Sequence, residues 1–204
     1  MARTRSEQYP DIKRNILKRA AAVFARVGYA SATISDLADA AGLSRGALYH
    51  YFPSKEAILR DIFDQHLADF LDRVDQAMQA SRVPVEQLRI VTQAIVELNT
   101  SCADEQVVIL NDLNQLTAAD HERMVALEKK ILDRLSDLLM KVDNGGKITP
   151  GNKRVYTMMY LGVVNYTFAW YNPKGRVAPG EFADIASDVL LHGLLTKGGK
   201  SSSR

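Results

Sequence analysis

Arg45, Gly46, Tyr49 and His50 fall within one six-residue stretch and combine a cation, a residue with no side chain and two flat rings carrying polar tips. Those types suit contact with phosphates and with base edges in a major groove, provided that one short helix turns them all outward. The run that contains them, TISDLADAAGLSRGALYHYF from Thr33 to Phe52, has the pattern to do so. Ile34, Leu37, Ala38 and Ala41 recur at i, i+3, i+4 and i+7, one face of a first helix that the Thr33 hydroxyl opens with Asp36 three residues on. Gly42 ends that helix, Leu43 fills the gap, and Ser44 caps a second helix whose Leu48 and Tyr51 are expected to point inward.

A helical hairpin of this kind needs a third element to close a core. Ile12, Ile16, Ala20, Val23, Phe24 and Val27 form the stripe of a longer helix that begins near Pro10 and stops at Gly28. After the hairpin, Phe52-Pro53 ends the second helix and Ser54 caps a restart. Three helices then close one small core.

The segment from about Pro10 to Phe70 resembles the DNA-binding domain of the TetR-type family of bacterial transcriptional regulators. The matching residues are the Phe24 to Gly28 helix ending, Thr33, the Ile34-Ser35-Asp36-Leu37-Ala38 run, Ala41-Gly42-Leu43-Ser44, Gly46-Ala47-Leu48-Tyr49, and Tyr51-Phe52 followed by Ser54-Lys55-Glu56 with Leu59 beyond. The resemblance covers the first third of the chain. With the outward-facing set, it gives Thr33, Ser44, Arg45, Gly46, Ala47, Tyr49, His50 and Lys55 as candidate DNA contacts, and Lys55 with the first five residues as cations aimed at phosphates. It implies a repressor of double-stranded operator DNA; an architectural or activating DNA-binding protein without an effector is the alternative.

Charge is divided accordingly. Residues 1–60 hold ten Lys or Arg against five acids, a net of +5, whereas the remainder carries a net of -3. A basic module on a slightly acidic body is the asymmetry expected of a DNA-reading domain with a separate sensing or assembly domain. Cys102 is the sole cysteine, so an intrachain disulfide is excluded, and no run approaches the roughly 18 to 20 apolar residues that span a bilayer. A cytoplasmic protein without membrane contact is expected. His121, Glu122, Glu128 and Cys102 bear groups capable of acid-base or nucleophilic work, but no HExxH, phosphate loop, nucleophile elbow or cysteine pair accompanies them, so neither catalysis nor a metal is expected.

Beyond Phe52 the pattern is helix upon helix, which predicts an all-α protein of about nine helices: a helix-turn-helix domain over 10–70, an effector-binding and dimerisation domain over 71–196, and a disordered tail over 197–204. A long helix runs from the Ser54 cap to a break at Ser81-Arg82-Val83-Pro84, and a shorter one carries Val107, Leu110, Leu113 and Leu116. From Val155 to Tyr171 the sequence is apolar or aromatic on nearly every side, and such a helix must be covered all round. The family resemblance implies that about 150–171 and 179–195 pair with a second subunit, giving a homodimer whose two recognition helices engage half-sites about one turn, roughly 34 to 36 Å, apart.

Asn111, Tyr156, Tyr160 and Tyr166 place polar groups in apolar helical stretches, either as lining of an effector pocket or as satisfied core groups. The stretch from Tyr166 to Arg176 resembles the end of the penultimate helix in TetR-type regulators of fatty-acid, aromatic-acid or sterol-fragment breakdown, whose effectors are acyl-CoA thioesters. Trp170 offers a stacking face for adenine and Lys174 and Arg176 suit phosphates, although a Trp at a helix end also serves as an interface residue. An acyl-CoA effector is thus weighed against other hydrophobic or aromatic small molecules. No cofactor is expected.

Overall fold

Helix α1 (Tyr9–Val27) is amphipathic and buries Ile16, Leu17, Ala20, Ala21, Val23 and Phe24. It ends at Gly28, whose φ of +81° lies in the left-handed region. In the computed structural model, residues 9–195 are described. The expected basic arm around Arg3 and Arg5 and the tail over 197–204 lie outside the described residues.

Helix α2 (Ile34–Ala41) opens with a reciprocal capping box: Thr33 Oγ1 accepts from the Asp36 N–H at 3.2 Å, and the Thr33 N–H donates to Asp36 Oδ2 at 2.8 Å. Gly42, at φ +68°, turns the chain out of the helix, and the Leu43 N–H returns to the Ala38 carbonyl. Ser44 then caps α3 (Arg45–Tyr51) by accepting from the Ala47 N–H at 3.2 Å. Asp36, accepting hydrogen bonds from Thr33, is held below its ordinary value of 3.8. A lowered folded value means that the box stabilises the fold fully above the ordinary carboxylate range and ceases to do so as pH falls through it. Thr33→Ala should therefore destabilise the fold near neutrality. In urea melts its deficit should shrink between about pH 7 and about pH 3; a deficit independent of pH would show that the pair does not act as a box.

Helix α4 (Lys55–Gln79) is followed by α5 (Pro84–Ser101), α6 (Ala103–Asn111), a 3-10 turn at Leu113–Gln115, α7 (Ala118–Val142), α8 (Lys153–Asn165), a second 3-10 turn at Tyr166–Ala169, and α9 (Pro179–Leu195). Among the described residues there are nine α-helices and no strand. The all-α expectation holds.

The chain forms two units, residues 1–67 with 102–125 and residues 68–101 with 126–204. In the first, Leu37, Leu48, Phe52, Ile58, Leu59 and Phe63 fill the centre of the three-helix core. Helix α6 lies against α1, and His66 Nε2 meets Gln106 Oε1 at 3.0 Å across the gap between α4 and α6. The division thus differs from a simple boundary after residue 70. The stripe expected on the short helix is also shifted, since Gln106, Val108 and Ile109 are its buried residues while Leu110 is exposed.

The second unit packs α5 against α9 and α8. Polar pairs thread its core: Thr92 Oγ1 to the Tyr160 hydroxyl at 3.0 Å, and Ser136 Oγ to Thr157 Oγ1 at 2.8 Å. Helix α8 is shorter than the span of about 150–171 that the family resemblance implies. Thr149 and Asn152 form a turn before it, with the Thr149 N–H donating to Asn152 Oδ1 at 2.7 Å. At its other end the Val164 carbonyl accepts from Asn99 Nδ2 at 3.0 Å and from Thr167 Oγ1 at 3.3 Å, which satisfies the terminal turn and lets the chain tighten into 3-10 geometry.

Candidate nucleic-acid interface and effector site

The capped turn from Thr33 to Ser44 fixes the rotation of α3 about its axis. Leu48 anchors the helix in the core with none of its surface exposed. Arg45, Gly46, Tyr49 and His50 consequently all face outward, and Tyr49 keeps 51% of its surface exposed. A Cβ built on Gly46 would meet nothing nearer than Ser44 Oγ at 4.0 Å, so packing within the chain does not require a glycine there. Its bareness leaves the outer face of α3 open at that position.

The other candidates have local duties. Thr33 and Ser44 are exposed, but their hydroxyls are engaged in the two caps. Ala47 is half-buried. Tyr51 is half-buried as well, and instead of entering the core as expected it stacks on Tyr9 with ring centroids 5.1 Å apart. Lys55 directs its ammonium into the protein, donating to the Tyr29 and Ala32 carbonyls at 2.9 Å each.

The residues proposed from sequence for an effector fall in both units. Asn111, in the first unit, is exposed and donates back to the Val107 carbonyl. In the second unit Tyr160 is buried, its hydroxyl satisfied by Thr92 and its pKa raised by desolvation, while Tyr156 is half-buried and Tyr166 is exposed. Trp170 keeps 61% of its surface exposed, with one edge against Phe182, and Lys174 and Arg176 are exposed on the turn that follows. Asn99 on α5 is buried, and its Oδ1 has no hydrogen-bond partner among the described residues. Its signal in the sequence was an amide inside the apolar stripe of α5.

A capped helix-turn-helix with a bare, cationic and aromatic outer face, in a chain that carries a second helical unit, has the outline of a DNA-binding regulator. The family model described as "Bacterial regulatory proteins, tetR family" matches residues 16–62, and that described as "Tetracyclin repressor-like, C-terminal domain" matches residues 81–194. The chain belongs to the TetR family of transcriptional regulators, which are DNA-binding proteins and not enzymes.

A solved TetR-family transcriptional regulator from Bordetella parapertussis 12822 is 31% identical, with a TM-score of 0.83 over 89% of this chain and 94% of that one. The structure of AibR in complex with isovaleryl coenzyme A and operator DNA is 27% identical, with a TM-score of 0.76 over 88% of this chain and 98% of that one. The transcriptional repressor KstR2 of Mycolicibacterium smegmatis is 26% identical over 187 residues, 88% of each chain. Among the described residues no helix is long and apolar enough to cross a membrane.

Proposed function

We propose that this regulator is a cytoplasmic homodimeric repressor, that the outer face of α3 reads its operator, and that an acyl-CoA releases it. The observation that carries the DNA reading is the joint exposure of Arg45, Gly46, Tyr49 and His50 above a fully buried Leu48. Support for a CoA thioester comes from the exposed Trp170, Lys174 and Arg176 within one short segment, together with AibR, a relative that holds isovaleryl coenzyme A and operator DNA. Trp170 supplies a face for the adenine, the two cations supply the phosphate contacts, and the unpartnered Asn99 Oδ1 accepts a hydrogen bond from an effector N–H or O–H.

Support for the homodimer lies on α8 and α9. Val155, Met158, Met159, Val163 and Tyr166 form an exposed apolar stripe, and Ile185 and Val189 are exposed on α9 in the same unit. Such a patch on a soluble chain marks an interface. Helix α4 contributes residues to both units and is the element whose tilt transmits effector binding to α3.

Release requires unequal affinity of the effector for free and DNA-bound protein; moving the complex from 99:1 to 1:99 takes about 5.5 kcal/mol of differential binding, shared between two subunits. The test is fluorescence anisotropy of a labelled duplex, selected from a random library by the purified protein, titrated with CoA, free acids and acyl-CoA thioesters of varied chain. The thioesters should dissociate the complex. Trp170→Ala with Arg176→Ala should leave duplex affinity near wild type yet make the complex resistant to them. Release by free aromatic or aliphatic acids with inert thioesters would remove the CoA reading and return Trp170 to the interface.

A further inference from the structure

Lys55 is the first residue of α4 and its position beside the helix-turn-helix suggests a cation aimed at the DNA backbone. Its ammonium points elsewhere. Nζ lies 2.9 Å from the Tyr29 carbonyl, 2.9 Å from the Ala32 carbonyl and 3.5 Å from the Ala30 carbonyl, and sits 4.4 Å from the centroid of the Tyr29 ring. An ammonium has three donors, and these three acceptors take them all. The ring face beneath adds a cation-π attraction.

The carbonyls belong to the connection between α1 and α2, and Ala32 immediately precedes the Thr33 cap. Tyr29 itself is buried, with its ring edge-on to Phe24 at 5.2 Å. Burial, together with the nearby carboxylate of Glu56, the next residue of α4, pushes the Tyr29 phenol up to about 12. Lys55 therefore holds Tyr29 twice, by its backbone carbonyl and across its ring face. The carbonyl of Ala32 is tied one residue ahead of the capping box, so the grip fixes where α2 begins and, through the rigid Gly42 turn, where α3 points.

We infer that Lys55 is a positioning residue that latches the α1–α2 connection and sets the aim of the recognition helix, and that it releases no counterion from DNA. The inference rests on the DNA-reading role of α3 and goes beyond it by separating the cations that touch phosphate from one that does not.

Salt dependence makes the separation. A side chain that neutralises a phosphate contributes about 0.9 to the slope of log affinity against log salt, per subunit. Lys55→Met keeps the stem over Tyr29 and removes the donors. For a duplex selected by the wild type, its affinity should fall roughly tenfold, as expected for losing hydrogen bonds to a charged group. Its slope should match wild type, and its affinity for a random duplex should be unchanged. A slope smaller in magnitude by about 0.9 per subunit, with selected and random duplexes weakened together, would overturn the latch.

Lys55→Arg serves if the methionine variant fails to fold. One guanidinium cannot place its divergent donors on the same carbonyls, so the latch predicts weakened selectivity, whereas a phosphate contact predicts wild-type binding. Hydrogen exchange on the free protein decides the matter without DNA: amides over 29–36 should exchange faster in the folded variant, and unchanged protection there would contradict the latch. A wild type that prefers no duplex would instead count against the DNA reading, leaving the exchange result to judge Lys55.

Discussion

Replacing Tyr49 and His50 by Ala is expected to reduce operator binding to the level of a random duplex while leaving helix content and oligomeric state intact. Both side chains face outward from α3, and the anchor of that helix, Leu48, is untouched. A good base contact discriminates by roughly 1 to 3 kcal/mol, so each substitution should weaken the complex about tenfold or more, and two subunits double the loss on one operator. Binding to non-specific DNA, carried by cations and phosphates, should change little. His50 also lies edge-on to Tyr51 at 5.6 Å, and the stack of Tyr51 on Tyr9 provides the internal control. If the double variant loses circular-dichroism signal, the rings have a structural duty that their exposure does not show. Wild-type affinity with an intact spectrum would remove them from the interface.

The second large effect concerns the apolar faces of α8 and α9. Met159 keeps 64% of its surface exposed and Val189 keeps 70%, and neither is needed for the core of its own unit. Met159→Lys with Val189→Lys should yield a folded monomer in sedimentation, because an unpaired charge buried between subunits costs far more than the same charge in water. Operator binding should then fall roughly 10³-fold or more, toward the non-specific level, since one recognition helix alone engages one half-site. A variant that remains dimeric would place the subunit interface elsewhere. A monomer that binds the operator as wild type does would separate dimerisation from DNA reading.

The features legible in the sequence are those fixed by local rules. Thr33 with Asp36, Gly42, and Ser44 each encode a cap or a turn within four residues, and each closes in the structure as its spacing requires. The stripe and Gly28 stop of α1 and the Ser54 cap and Pro84 break around α4 likewise carry their extents. What stayed hidden depends on distant partners. The length of α8 could not be read from its apolar run, because Asn99, 65 residues earlier in the chain, supplies the donor that satisfies the Val164 carbonyl at its end.

The division of the chain was hidden for the same reason. Helix α6 joins the first unit through contacts with α1 and the His66–Gln106 hydrogen bond, neither of which leaves a periodic trace. At the candidate DNA interface, the spacing identified which side chains of α3 turn outward, but the direction of a flexible lysine stem was open. Lys55 has the type and the position of a phosphate contact; only the carbonyls of Tyr29 and Ala32 reveal where its charge is spent.

The most direct test of the account is to select duplexes from a random library with the wild-type protein and to footprint the enriched sequence by hydroxyl radicals. Two exposed recognition helices related by a two-fold axis require an inverted repeat, with protected half-sites separated by about one helical turn, roughly 34 to 36 Å, or a multiple of it. Binding to that sequence should also fall by roughly 10³ to 10⁵ between about 50 and 200 mM salt if the dimer makes about 6 to 10 phosphate contacts. Enrichment of an inverted repeat that the Tyr49→Ala, His50→Ala variant no longer selects is the predicted result. No enriched sequence, or a repeat that the variant selects equally well, would contradict the assignment of α3 as the element that reads DNA.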